Sequence, residues 1–475
     1  MLFCFARYET LVERYQQQQP RETDETTSNC HAYEPVFFGA EIACWPSDEE
    51  CAKYNKGNAD SSNEKPYLNS GTFLGRVSAI RMLLEDVDPA RPDYDDQLYF
   101  SEKYTHYLQH AAAAVPIVLD RESFLFHTLL TEDDPTWSVE EGENTYNYWL
   151  HNDDGHIPAV LHGQGPAKHS LIGIGNYIPG AFDSFYGTKR HTHVTVSPQD
   201  IYPLVIGMFF TEETDIDHEK QFVESIKSLD VDASKTEIFV YNILGLLQSV
   251  CPILAEHFAN CTNGRDTDEA LARAEFLSMA ASVGAAQALM VDSDVIVTRK
   301  SVVTDLAGWS LPVVTGHAQR VDKLWSNYWT DMDHWALGDG GQFYRRGFDT
   351  LALYYRERQG LFQVPYWRAL VLIHNTEFER LARIYAKEVA EGIGSDIDRH
   401  VCIEATDAGL AAYVDNRHEY AILFDPDDPY STKDVSYEEA RVDEDFDYKG
   451  LFHSNDNSST VALKEGTLRI PRERR

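Results

Sequence analysis

Between Leu204 and Asp294 short apolar runs alternate with amphipathic stretches, and that alternation restricts the fold more than any other feature of the chain. Leu204–Phe210, Glu237–Tyr241 and Ala288–Val291 read as strands. The segments near Lys220–Leu229 and Asp268–Ala286 read as helices between them. A β-α-β-α-β succession joins its strands through helical crossovers, so it predicts a parallel sheet in an α/β fold. The last strand runs directly into Asp292-Ser293-Asp294.

A chain of 475 residues exceeds one ordinary core, and two domains are expected. The boundary is placed at Pro198–Tyr202, which gives a first domain over 1–198, a second over 199–425 and a tail or linker over 426–475. In the first domain Met1–Tyr15 predicts a strand and a short helix, and the polar run Gln16–Ser28 predicts a loose loop. Val36–Ala40, Ile117–Leu119 and Ala159–Leu161 predict buried strands. Val77, Ile80, Leu83, Leu84 and Val87 fall at helical spacing. No internal repeat is visible.

With 41 basic and 77 acidic residues the formal charge is −36. Such a field repels nucleic acid and anionic membranes and favours a basic protein partner or divalent cations, although an acidic surface also serves solubility alone. No apolar run reaches the ~20 residues that span a bilayer, so no membrane span is expected. The seven cysteines lack the paired spacing of a zinc site. Cys44 with Cys51 and Cys251 with Cys261 can close local disulfide loops. The sequons Asn260-Cys261-Thr262 and Asn457-Ser458-Ser459 agree with a secretory compartment. Met1–Arg7 is too short in apolar residues for a signal peptide, so either a cytosolic protein or a missing true start is expected.

The densest chemistry lies at Leu161-His162-Gly163-Gln164-Gly165-Pro166-Ala167-Lys168. A neutral imidazole can ligate a divalent ion, glycines admit phosphate oxygens close to backbone N–H groups, and Lys168 can neutralise a leaving diphosphate. A lone histidine is nevertheless more often a hydrogen-bonded structural residue. Asp95 and Asp96 can orient an acceptor hydroxyl or take its proton, or can merely complement a helix dipole. Trp45 can offer its ring to a sugar or pack in a core. Asn69 can line a cleft or belong to a turn. Asp292 and Asp294, at a strand end, are a second-choice metal pair. His191-Thr192-His193 reads as a linker strand with solvated imidazoles, and His151-Asn152-Asp153 as an incomplete imitation of an iron site.

Taken together, Phe38–Pro46, Tyr67–Gly75, Asp95–Phe100 and His162–Pro166 resemble the glycosyltransferase domain of the multifunctional procollagen lysyl hydroxylases. Val291–Val295, Lys323–Trp329, Val364–Tyr366 and Asn416–Glu419 resemble that family's accessory domain. The resemblance implies two tandem Rossmann-like transferase domains of GT-A type, the first incomplete at its N-terminus. It also implies Mn2+ dependence and transfer of glucose from UDP-glucose to galactosylated hydroxylysine of collagen in the endoplasmic reticulum. By resemblance His162 holds the metal, and Gln164, Gly165 and Lys168 contact the diphosphate. Trp45, Glu41, Asn69, Asp95 and Asp96 line the sugar and acceptor cleft. Around the family's Asp-x-x-Asp position this chain has Ala6 and Glu9, so Glu9 is the carboxylate left for the metal and the neighbouring Tyr8 is assigned to the cofactor. Procollagen is the implied partner, and a homodimer is compatible with the family. Lysine hydroxylation is not expected of these residues. The competing expectation is a non-catalytic collagen-binding scaffold that has lost its metal and uridine site.

Overall fold

A computed structural model describes residues 2–4, 8–18, 34–54, 65–87, 95–110, 115–129, 137–141, 148–152, 158–165, 167–176, 193–210, 216–242, 250–265, 268–320, 325–332, 335–337, 343–345, 350–391, 397–424, 460–461 and 468–469. The chain divides into two compact units, Met1–Gly187 with Ser459–Arg475, and Thr188–Ser458.

In the first unit β1 (Leu2–Cys4) is followed by α1 (Tyr8–Gln18) and β2 (Val36–Glu41). Then come α2 (Asp48–Tyr54), β3 (Tyr67–Leu74), α3 (Val77–Leu83) and α4 (Asp96–Gln109). Strands β4 (Ile117–Asp120), β5 (Phe126–Leu129), β6 (Trp137–Glu141), β7 (Tyr148–Asn152) and β8 (Val160–Gly163) lead into α5 (Ala167–Gly175). Strand β2 pairs antiparallel with β3 and parallel with β4, while β8 lies between β1 and β5 in a second sheet. Alternation along β2 sends Val36, Phe38 and Ala40 into a core with Leu68, Ala79, Leu83, Phe100, Tyr104, Ile117 and Leu119. Its neighbour Phe37 faces the other way, against Leu125, Phe126, Leu11 and Tyr15.

Two boundaries differ from the sequence reading. Helix α1 continues to Gln18, because glutamine is a good helix former and the polar run alone does not stop a helix that has already started. Helix α3 ends at Leu83 and passes into turns, leaving Val87 exposed.

The second unit is built on an eight-stranded sheet. Its first four strands are β11 (Asn260–Asn263), β10 (Thr236–Asn242), β9 (Leu204–Phe210) and β12 (Gln287–Asp292), all parallel. The strand Leu370–His374 then enters antiparallel to both β12 and Val313–Gly316. The predicted parallel sheet is therefore mixed, because a strand's direction depends on the route of its connection and leaves no mark on its own apolar pattern. Family-like motifs of this unit act as clasps. The buried Asn327 amide accepts from Ala318 N at 2.9 Å and donates to Thr315 Oγ1 at 2.8 Å and Gly316 O at 2.9 Å. Asn416 joins Leu353 O, Arg358 O and Gly360 N in the same manner. Trp329 stacks on Tyr366 with centroids 3.6 Å apart.

Among the described residues disulfides join Cys44 to Cys51 in the first unit and Cys251 to Cys261 in the second. His193 corrects the expectation of solvated imidazoles. It is half-buried, lies 2.9 Å from Asp305 O and meets Trp309 edge-on, because Gly308 leaves room for the ring. His191 and Asp153 lie outside the described residues, as do the side chains of His151 and Asn152.

Candidate functional site

Strands β2, β3 and β8 and the start of α4 bring the first unit's polar groups to one place. The β2–β3 register jumps from Phe38↔Phe73 to Gly39↔Asn69, so Ser70, Gly71 and Thr72 bulge out of the ladder. Gly39 permits the bulge, since a Cβ there would meet Thr72 Oγ1 at 2.4 Å. Gly71 at its crest lies under the His162 ring, and a Cβ would stand 2.0 Å from the imidazole Cε1.

Around this bulge runs a chain of side-chain hydrogen bonds. The Gln97 and Gln164 amides each donate to a different oxygen of Glu41, and Asn69 donates to Gln164 Oε1. The Asn69 carbonyl accepts from Gly71 N at 3.0 Å, while Gln97 Oε1 accepts from Ser70 N at 3.0 Å. The Ser70 hydroxyl reaches both Gln97 Oε1, at 3.2 Å, and Asp96 Oδ2, at 3.0 Å. Glu41, Asn69 and Gln97 are buried, whereas Asp96 is exposed at the first turn of α4. Burial pushes the Glu41 carboxyl up to about 7, against the pull of the amides around it.

His162 sits in β8 opposite Thr128 of β5. Burial lowers its pKa to about 4, so the ring is neutral at physiological pH. Its Nδ1 is buried without a hydrogen-bond partner. A neutral imidazole with an unpartnered nitrogen has the chemistry of a metal ligand. Among the described residues, however, no group of three or more His, Cys, Asp and Glu side chains is arranged to hold a metal ion. Beyond His162 the chain turns at Gly165, whose φ of +52° favours glycine, and enters α5 with Lys168 in its first turn.

Of the residues picked from sequence, the structure assembles Glu41, Asn69, Asp96, His162 and Gln164. Trp45 is 61% exposed on the loop that follows Glu41. Asp95 plays a different part, for its carboxylate caps α4 by accepting from Leu98 N at 2.9 Å. The α1 backbone carries Tyr8 and Glu9, but their side chains lie outside the described residues, as does Ala6. The sequence reading missed Ser70, Gly71 and Gln97 as members of the network. Helical spacing with the buried Phe100, Ser101 and Tyr104 would have turned Gln97 inward.

In the second unit Asp292 and Asp294 are not an open ligand pair. Asp292 Oδ1 accepts from the buried Arg273 at 2.9 Å, and Arg273 also holds Glu269 at 2.6 Å. Asp294 is ion-paired with Arg368. Buried carboxylates need an opposite charge, and here guanidinium groups supply it.

Residues 9–188 match the family model described as PLOD GT domain, and residues 259–441 match glycosyltransferase family 25, N-terminal domain. The chain is 25% identical over 400 residues to procollagen-lysine,2-oxoglutarate 5-dioxygenase of Drosophila melanogaster, covering 83% of this chain and 52% of that protein. It is 26% identical over 404 residues to procollagen-lysine,2-oxoglutarate 5-dioxygenase 2 of Homo sapiens, covering 82% and 52%. The human multifunctional procollagen lysine hydroxylase and glycosyltransferase LH3 is 24% identical over 403 residues, again with 82% and 52% covered. The chain thus spans about half the length of the curated relatives it matches. Among solved structures, the mannosyltransferase PcManGT from Pyrobaculum calidifontis, in complex with GDP-Man and Mn2+, aligns over 50% of this chain and 60% of its own. Its TM-score is 0.29 and its identity 14%, a likeness too slight to carry an argument. Two transferase-type domain models match in tandem, and over more than four-fifths of its length the chain is similar to the procollagen lysyl hydroxylases, with its residues 9–188 matching their glycosyltransferase domain.

Proposed function

We propose that this chain is a collagen glycosyltransferase acting in the endoplasmic reticulum lumen or after secretion. It transfers glucose from UDP-glucose to galactosyl-hydroxylysine, and the chemistry belongs to the first unit. The observation that carries this reading is the hydrogen-bonded convergence of Glu41, Asn69, Ser70, Asp96, Gln97 and Gln164 around the bulge whose Gly71 lies against a neutral imidazole with an unpartnered nitrogen. Amides and hydroxyls of this kind suit the many hydroxyls of a sugar, and the exposed Trp45 offers a ring face on which one can stack.

His162 fits Mn2+ as one nitrogen ligand, with Glu9 as its proposed companion; when bound, the ion would neutralise the diphosphate. Gln164, Gly165 and Lys168 hold the diphosphate at the turn into α5. The acceptor hydroxyl bonds to the anomeric carbon, UDP departs from it, and the hydroxyl proton passes to Asp96. Its exposed carboxylate is kept in orientation by the Ser70 hydroxyl. Glu41 holds Gln97 and Gln164, whose carbonyl oxygens in turn orient Ser70 and Asn69. Asp292 and Asp294 are set aside for this role because each already faces an arginine.

The purified protein with Mn2+, UDP-glucose and a galactosyl-hydroxylysine collagen peptide should release UDP. His162→Ala should abolish release, and Asp96→Asn should lower kcat roughly 10²–10⁴-fold while UDP still binds. Equal turnover by His162→Ala would sink the assignment. If calorimetry registers no UDP binding with Mn2+ while collagen peptides still bind, the chain is instead a non-catalytic collagen-binding scaffold.

A further inference from the structure

We propose that Asn260 is an N-linked glycosylation site, and that closure of the Cys251–Cys261 disulfide limits how much of the protein is modified there. The inference rests on the luminal location proposed above and adds a modification in the second unit.

The acceptor sequence Asn260-Cys261-Thr262 is the outermost strand, β11, of the eight-stranded sheet. Asn260 is exposed. Strand alternation puts Asn260 and Thr262 on one face and Cys261 on the other, so the amide and the hydroxyl that define the acceptor share a side. Among the described residues β11 has one strand neighbour, β10, in the register Glu237↔Asn260 to Val240↔Asn263. Among the described residues no strand pairs with its outer edge, and an unpaired edge is a hazard that a bulky, hydrated glycan would block.

The central residue of the acceptor is itself a half-cystine. Cys261 is bonded to Cys251 in the helix Val250–Ala255, closing a loop of 10 residues in sequence separation. In glycosylation the Asn260 Nδ2 forms a bond to the anomeric carbon of a lipid-linked oligosaccharide diphosphate. The bond from that carbon to the diphosphate oxygen breaks, the lipid diphosphate leaves, and the amide proton is lost to a base on the transferase. For this the acceptor must lie extended in the transferase's cleft, clear of the sheet. Once the disulfide ties Cys261 to the helix and β11 is paired with β10, that excursion is closed. Oxidation and glycosylation therefore compete for the same three residues, and the winner is set by which happens first.

The test is expression of the full chain behind a secretory leader, with a tag carrying an independent acceptor sequon to report arrival in the lumen. Peptide mass analysis after glycosidase treatment then reads Asn260 and Asn457 separately. The expected result is a glycan at Asn260 that Thr262→Ala removes, and a higher occupied fraction in Cys251→Ser. If the reporter is modified while Asn260 is bare in both wild type and Cys251→Ser, the site is refuted. Equal occupancy in wild type and Cys251→Ser would overturn the competition with oxidation. Because the leader fixes the compartment, and Asn260→Gln should leave UDP release unchanged, failure here is distinguishable from failure of the transferase reading.

Discussion

The buried Glu41 and the half-buried His162 of the candidate site respond to pH in opposite senses. Glu41 has a folded pKa of about 7 against an ordinary 4.5, so between these values the folded chain holds a proton that the unfolded chain has released. Stability from this group is therefore lost as pH rises toward 7, by on the order of 3 kcal/mol in all. His162, lowered from 6.5 to about 4, behaves in reverse: the unfolded chain holds the proton, and stability is lost as pH falls through that window. Glu41→Gln removes the first slope and keeps the second. Its melting temperature relative to wild type should consequently improve from pH 5 to pH 8, and a difference that stays constant would contradict the burial of a titrating carboxyl. At this scale the sequence revealed the chemical types and little of their use. His162, Gln164, Asn69 and Asp96 stand out by composition and spacing, but nothing in the string says that Asp95 caps a helix while its neighbour bonds Ser70.

The element that shapes the site is the bulge in β3, where three residues leave the ladder beside Gly39. Its crest must be glycine because the His162 ring occupies the space a side chain would take. Gly71→Ala should push the ring aside, cost roughly 1–3 kcal/mol in urea unfolding, and weaken Mn2+-dependent UDP binding more than it alters secondary structure by circular dichroism. A variant with unchanged UDP affinity would show that the ring's position is unimportant. The strands β2, β9, β10 and β12 were legible from continuous apolar runs, because a strand covered on both faces has no polar residues to interrupt it. The bulge was not legible. A register jump depends on two strands at once, and the single clue, a glycine in each, also fits an ordinary turn. The antiparallel strand Leu370–His374 was hidden for a related reason, since its direction follows from the chain path between distant segments.

For the whole molecule the dominant quantity is the charge of −36, which should draw in a basic collagen peptide from a distance. Raising salt from about 50 mM to about 500 mM should slow association by an order of magnitude or more and change dissociation much less, as stopped-flow measurement can test. A salt-independent on-rate would confine the acidic surface to keeping the protein soluble. Length and the strand–helix alternation suggest two domains but do not mark where the units divide, and the ion pairs that neutralise Asp292 and Asp294 became visible only once distant segments met. The covalent clasps seen among the described residues, Cys44–Cys51 and Cys251–Cys261, each lie within a single unit and span only 7 and 10 positions of sequence. Neither bond therefore has to wait for the other half of the polypeptide. Each clasp can therefore close as soon as its own short stretch of chain has emerged, before the unit that holds it is complete.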